Sequence, residues 1–290
     1  MTIEVSEASV LDAAQGAITL KADISKYLPK GEGKALTVAV NIKNGISHFT
    51  TEFVPVTLAA SLPVGALKGE FSVSAAKKVH FSKGNLVATI DATGAPTAWK
   101  FSAHQYEYIG ANVANTKIGK EAGDVDFFGW STDATLNNWG IHTKIAATKN
   151  FTTGNFKDWG KAVGDGDTWR TLSKNEWTYL FNNHSKKWAT VNGVKGYVIA
   201  PDGFAGTLSD TYADDAALAA DNLVFLPAAG DRVSFSVTVV GSDGFYWSST
   251  KSGSEDEEAY DLHFTGSSVY PNRTDYRCIG CSVRLVTESK

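Results

Sequence analysis

Short alternations of apolar and polar residues run through most of the chain and predict strands far more often than helices. Ala17-Ile18-Thr19-Leu20-Lys21-Ala22 and Ala35 to Ile42 alternate with a period of two, and Asn44-Gly45 sits where a hairpin would turn. Phe49 to Leu58 supplies another strand, broken by Pro55, which favours an edge or a bulge. Charge there is moderate and no catalytic residue type clusters. Residues 1–68 therefore read as a small β-sandwich-like module serving as a stalk or spacer. Leu62 to Gly69 contains one Pro and two Gly in eight residues and reads as a linker.

Residues 69–290 have a different texture. Phe71-Ser72-Val73 and Val79-His80-Phe81 look like short strands, and the stretch Gly119 to Gly140 is a long loop carrying Trp130 and Trp139. Loops that long in a compact domain are usually ordered by their own aromatic plugs. One helix is well signalled. Ser173 is an N-cap with Glu176 three residues on, and Trp177, Leu180 and Phe181 then share one face. A second helix is predicted over Tyr212 to Asp221, and strands return from Leu223 to Val286. Within Ala259 to Phe264, alternation places Tyr260, Leu262 and Phe264 on one face and Asp261 and His263 on the other. Leu262 and Phe264 mark the first face as inner, Val269, Val283 and Leu285 continue it, and Tyr246 and Trp247 are expected to plug the same core. The pattern is that of an α+β domain whose sheet is completed at the C-terminus.

Composition and charge narrow the chemistry. At 290 residues the chain is natural for two domains. A net charge of -4 and a pI near 5.9 argue against a nucleic-acid partner. No run approaches the length of a membrane span. Met1-Thr2-Ile3-Glu4 lacks an apolar h-region, which leaves either a cytoplasmic protein or one whose export signal has been removed.

Cys278-Ile279-Gly280-Cys281 could be a redox dithiol or half of a zinc site. A strand follows it where a redox pair needs a helix, and no second pair of metal ligands exists, so neither is expected. The acidic pairs Asp124/Asp126 and Asp165/Asp167 read as solvated turns, with structural calcium as the alternative; no other cofactor is expected. Six scattered histidines lack metal spacing, and neither G-x-S-x-G nor G-x-G-x-x-G occurs.

Four segments in order carry a family resemblance. "WRTLSKNEWTYL" (169–180) resembles the "RLPTEAEWEYA" helix of formylglycine-generating enzymes, and "FLPAAGDR" (225–232), "GFYWSST" (244–250) and "SVRLV" (282–286) are similar to motifs that follow it. The resemblance covers about residues 70–290 and implies the C-type-lectin-like fold of sulfatase-modifying factors. It is closer to the non-enzymatic branch of gut Bacteroidetes, which includes variable proteins of diversity-generating retroelements and their paralogues. The N-terminal part has a looser likeness to immunoglobulin-like or fimbrillin-like modules of surface lipoproteins. In the enzymatic branch the paired cysteines stand further apart than Cys278 and Cys281, so its chemistry does not carry over.

In the retroelement targets, adenine mutagenesis varies one face of the C-terminal sheet. The outward positions here, including Ser267, Thr274 and Cys281, all hold residues accessible from an Asn codon, whereas Lys251, Glu255, Glu257 and Glu258 do not. A relative or invariant paralogue fits best, with a diversified locus as the alternative. The implied function is a non-catalytic cell-surface or secreted protein binding a protein or carbohydrate ligand on a cell or phage surface, with a membrane reached only through a removed lipid-anchor signal. Tyr270, Arg273 and Tyr276 are the expected anchors, and Asp261, His263, Ser268, Asn272, Asp275 and Cys278 the polar specifiers. The rivals are a sulfatase-modifying-type oxidoreductase and a fimbrial or structural adhesin subunit.

Overall fold

The computed structural model describes residues 62–116, 121–130, 138–141, 156–164, 166, 168–253 and 257–289, with four short strand segments nearer the N-terminus. It divides into two compact units, Met1–Leu62 and Pro63–Ser289. In the first, β1 (Leu11–Asp12) pairs antiparallel with β2 (Ala17–Ile18), and β3 (Ala35–Ala39) with β4 (Phe53–Thr57). Both strands of the β3–β4 pair are edges, where Pro55 is tolerated without its N–H. The Asn44-Gly45 turn and residues 19–22 lie outside the described residues.

The second unit is rich in sheet with few helices, an α+β arrangement. It begins before the expected linker ends, since Ala66 bridges Ser82 and the Leu67 amide donates to the Phe81 carbonyl at 2.8 Å. Strands β5 (Phe71–Ser72), β6 (Lys78–Phe81), β7 (Leu86–Ile90) and β8 (Pro96–Phe101) precede the short helix α1 (Val113–Thr116) and β9 (Gly123–Val125). Then come β10 (Arg170–Thr171), α2 (Lys174–Asn183), β11 (Lys186–Val191), β12 (Val194–Ile199) and β13 (Thr211–Tyr212). Helix α3 (Asp215–Ala219) leads to β14 (Val224–Pro227), β15 (Asp231–Val233) and β16 (Ser236–Thr238). The C-terminal strands are β17 (Asp243–Lys251), β18 (Glu258–Thr265), β19 (Val269–Tyr276) and β20 (Leu285–Glu288).

Strands β17, β18 and β19 form a three-stranded antiparallel sheet with β18 at its centre. Strand β20 belongs to a separate sheet in the order β10-β20-β6-β5. Two cores meet at these strands. Tyr246, Leu262, Phe264 and Val286 pack with Trp177, Leu180 and Phe181 of α2, whereas Phe245, Trp247, Ala259 and Leu285 pack with Phe128, Trp130 and Trp159. Tyr246 and Trp247 therefore plug opposite cores, not one. They are neighbours on a strand that is buried on both sides, and alternation sends them apart. Of the two expected aromatic plugs, Trp130 is buried, whereas Trp139 is only half-buried, edge-on to Trp99, with its carbonyl accepting from Nε1 of the buried Trp159 at 3.0 Å.

Helix α2 starts where its sequence says it should. The Glu176 amide donates to Ser173 Oγ at 3.3 Å, and the Ser173 amide donates to Glu176 Oε2 at 2.8 Å. Arg170 reaches both Glu176 oxygens, at 2.9 and 2.8 Å. Burial pushes the Glu176 carboxyl up, yet Arg170 and Ser173 hold it below its ordinary range. Ser173→Ala is expected to cost about 1 kcal/mol, lowering the melting temperature by about 2–4 °C. An unchanged melting curve would show that the cap is idle. The second predicted helix is shorter than Tyr212 to Asp221, because Tyr212 pairs with Val191 in a parallel ladder and Asp214 caps α3.

Candidate functional site

Directly opposed residues in an antiparallel pair lie on the same face of the sheet. Trp247 opposes Asp261 and Phe245 opposes His263, while across β18 Asp261 opposes Arg273, His263 opposes Tyr270, and Ala259 opposes Asp275. One face therefore carries Phe245, Asp261, His263, Tyr270, Arg273 and Asp275. Its lower part, at Trp247 and Ala259, is roofed by the Phe128 and Trp130 core. Its upper part is open, with Tyr270 49% exposed.

This corrects the expectation for Asp261, which is 0% exposed. Alternation did put it opposite Leu262, but that side is covered by residues distant in sequence. Cys281 is likewise buried, bridged to Phe128 through the backbone. Tyr276 opposes Glu258 and so falls with Tyr260 on the α2 side of the sheet, exposed but away from the other anchors. Ser268 closes the β18–β19 turn, its carbonyl accepting from the Thr265 amide at 2.8 Å. Asn272 is exposed at the register shift, where two β19 residues oppose Leu262, and Cys278 lies half-buried in the turn after β19.

The open part is an ordered stack. The rings of Phe245 and His263 lie 4.4 Å apart and nearly parallel, and Tyr270 continues the stack 5.6 Å from His263. The Arg273 guanidinium sits over Phe245, 4.9 Å from the ring centre. It pairs with Asp275 and donates to Asp261 Oδ1 at 3.4 Å. His263 Nε2 meets Asp243 Oδ1 at 2.9 Å. Asp231, which accepts from Thr238 Oγ1 at 2.6 Å, is a further carboxylate under the influence of Arg273.

Burial pushes the Asp261 carboxyl up to about 7, against the pull of Arg273 and with the help of Asp275. Burial also raises Asp275 and Asp231. The Cys281 thiol is raised well above its ordinary value by burial and by the nearby aspartates, so it stays protonated. Burial raises Cys278 too, and both cysteines are free.

Asp231 and Asp243 were not among the sequence candidates. Each reaches the site only through pairings that local sequence does not display, Asp231 through the bridges of its neighbours Gly230 to Gly244 and Arg232 to Gly280, and Asp243 through β17 with β18. Other candidate chemistry resolves into structure. Asp126 is buried, accepting from the Ile109 amide and from Asn115 Nδ2, both at 2.7 Å, while Asp124 pairs with Lys100. They are strand-end and core groups, not solvated turns. Asp165 and Asp167 lie outside the described residues. Among the described residues no group of three or more His, Cys, Asp or Glu is placed to hold a metal ion, and no helix is long and apolar enough to cross a membrane. A shallow groove of about 510 Å³ opens elsewhere, beside Lys77, Asp158, Arg170 and Tyr179, and its Arg170 is paired with Glu176 and Glu288.

No protein-family model, curated protein or solved structure matches the chain.

Proposed function

We propose that the second unit is a C-type-lectin-like domain of the sulfatase-modifying-factor type that binds a protein or carbohydrate ligand at a cell surface without catalysis. The observation that carries this reading is the stack that runs from buried Phe245 through half-buried His263 to exposed Tyr270. It stands on a sheet clamped between two aromatic cores, with Arg273 fixed across it. A rigid aromatic array beside adaptable polar groups is how recognition surfaces gain affinity with little ordering cost. The burial and raised thiol of Cys281 favour binding over the oxidoreductase alternative, since a thiolate is the reactive form.

The double variant Tyr270→Ala, Asn272→Ala tests the reading. Both side chains are exposed, so the melting temperature should move by no more than a few degrees. Ligands found on glycan arrays and displayed surface-protein libraries should bind it at least about tenfold more weakly. Arg273 is unsuitable for this experiment because it also neutralises buried Asp261. Unchanged affinity for every ligand found would remove the face as the binding site.

A further inference from the structure

Among the described residues of the second unit, the largest set of exposed apolar side chains falls in one short segment that leads into β17. Val233, Phe235, Val239 and Val240 are 41%, 57%, 46% and 41% exposed. They belong to the β15–β16 hairpin and the turn after it. The sequence "RVSFSVTVVG" (232–241) alternates like a half-buried strand, yet the described residues of this unit cover little of its apolar side.

Two of these positions are strained. Val239 has φ +48° and Ser234, at the hairpin turn, φ +56°. A β-branched residue is an outlier in that region, which suits Gly or Asn. The Val239 carbonyl accepts from the Ser242 and Asp243 amides at 3.2 and 3.1 Å, which fixes the turn. No burial within the described unit compensates for the branched side chain.

The segment is rooted in the site. The Gly230 amide donates to the Asp243 carbonyl at 2.9 Å, and Asp243 holds His263. Asp231, Asp261 and Asp275 share the influence of one guanidinium, that of Arg273, while Asp243 pairs with His263. The Arg232 guanidinium is buried and donates to the Phe127 carbonyl at 3.2 Å. Asp261 Oδ2 is buried with no hydrogen-bond partner. The face thus carries four carboxyl groups against one guanidinium and one imidazole where it adjoins the apolar segment, and a further cation there would relieve the burial that raises Asp231, Asp261 and Asp275. Such a surface repels anionic lipid headgroups and acidic sugars, and a neutral sugar supplies no cation.

We infer that the β15–β16 hairpin and its following turn are the apolar half of the binding face, and that their partner is a protein element presenting an apolar side chain beside a lysine or arginine. This rests on the reading of the sheet face as a binding site. The apolar group would cover Phe235 and Val239, and the cation would approach Asp231, Asp243 and Asp275.

The test uses the full chain and a displayed library of random short peptides. Enriched peptides should carry Lys or Arg next to an aromatic or aliphatic residue. Their binding should weaken about tenfold or more in Phe235→Ser and in Asp243→Asn. Val239→Gly should also weaken binding while leaving the melting temperature unchanged or raised, because it relieves the strained turn. Peptides without a basic residue, or peptides that bind Phe235→Ser and Val239→Gly as tightly as the parent, would overturn the inference. If binding then still falls in the Tyr270→Ala, Asn272→Ala variant, the sheet-face reading survives; if it does not, both fail. Self-association that disappears in Phe235→Ser would assign the hairpin to a second copy and would also overturn it.

Discussion

Trp247→Ala is expected to destabilise the second unit by about 3–5 kcal/mol, lowering its melting temperature by about 10 °C or more. The indole is 0% exposed and packs in the core formed with Phe128, Trp130 and Trp159. Its Nε1 donates to the Phe128 carbonyl at 2.5 Å, so truncation leaves a buried acceptor as well as a cavity. The Trp247 amide also donates to the Ser282 carbonyl at 3.1 Å, which ties β17 to the segment entering β20. Loss of the side chain loosens the floor under Asp261 and Ala259, and ligand binding should fail with it. Differential scanning calorimetry of the full chain reads this directly. A shift no larger than that of Tyr270→Ala would show that the two-core arrangement around β17 is wrong.

The second large effect is on pH dependence. The folded state raises Asp261 from 3.8 to about 7 and Asp126 from 3.8 to about 6, both chiefly by burial. The folded protein therefore keeps protons that the unfolded chain releases above about pH 4. This contribution to stability is fully present below that pH and is lost as pH rises through the folded values. For Asp261 alone the loss between pH 5 and pH 8 is about 2–3 kcal/mol. Carboxyls held low, such as Glu176 and Asp202, act in the opposite window and lose their contribution only under stronger acid. Maximum stability should therefore lie near pH 5. Asp261→Asn should melt higher than the parent at pH 8 and close to it at pH 5. Melting temperatures for the two proteins measured from pH 5 to pH 8 decide the matter, and parallel curves would mean that Asp261 is not the buried proton site.

Local signals were the legible ones. The Ser173–Glu176 cap and the Trp177, Leu180, Phe181 stripe needed only a few adjacent residues, and α2 forms as they specify. The alternation of Ala259 to Phe264 gave the correct division into two faces, because side-chain period is a property of the strand alone. It could not say what covers each face. Asp261 is sealed in a face whose roof includes Phe128, more than a hundred residues earlier in the chain. The register shift between Asp261 and His263 was equally invisible, and it is what carries Tyr276 away from Tyr270. Asp231 and Asp243 escaped notice because each precedes an apolar strand and reads as a turn residue. The hairpin after Asp231 escaped for the opposite reason, since its apolar alternation looks like ordinary buried strand. A sharper cue was available in "VTVVGSDG" (237–244), where a Val takes a turn position that suits Gly.

Everything proposed for this protein requires that the His263 and Tyr270 end of the stack on the C-terminal sheet be open to solvent in the whole chain. Hydroxyl-radical footprinting of the unliganded full-length protein, read by mass spectrometry, measures this at single residues. Tyr270 should be oxidised readily while Tyr246, on the buried face of the same sheet, remains unmodified. Equal protection of both tyrosines would mean that another part of the chain already occupies the face, and would contradict the account.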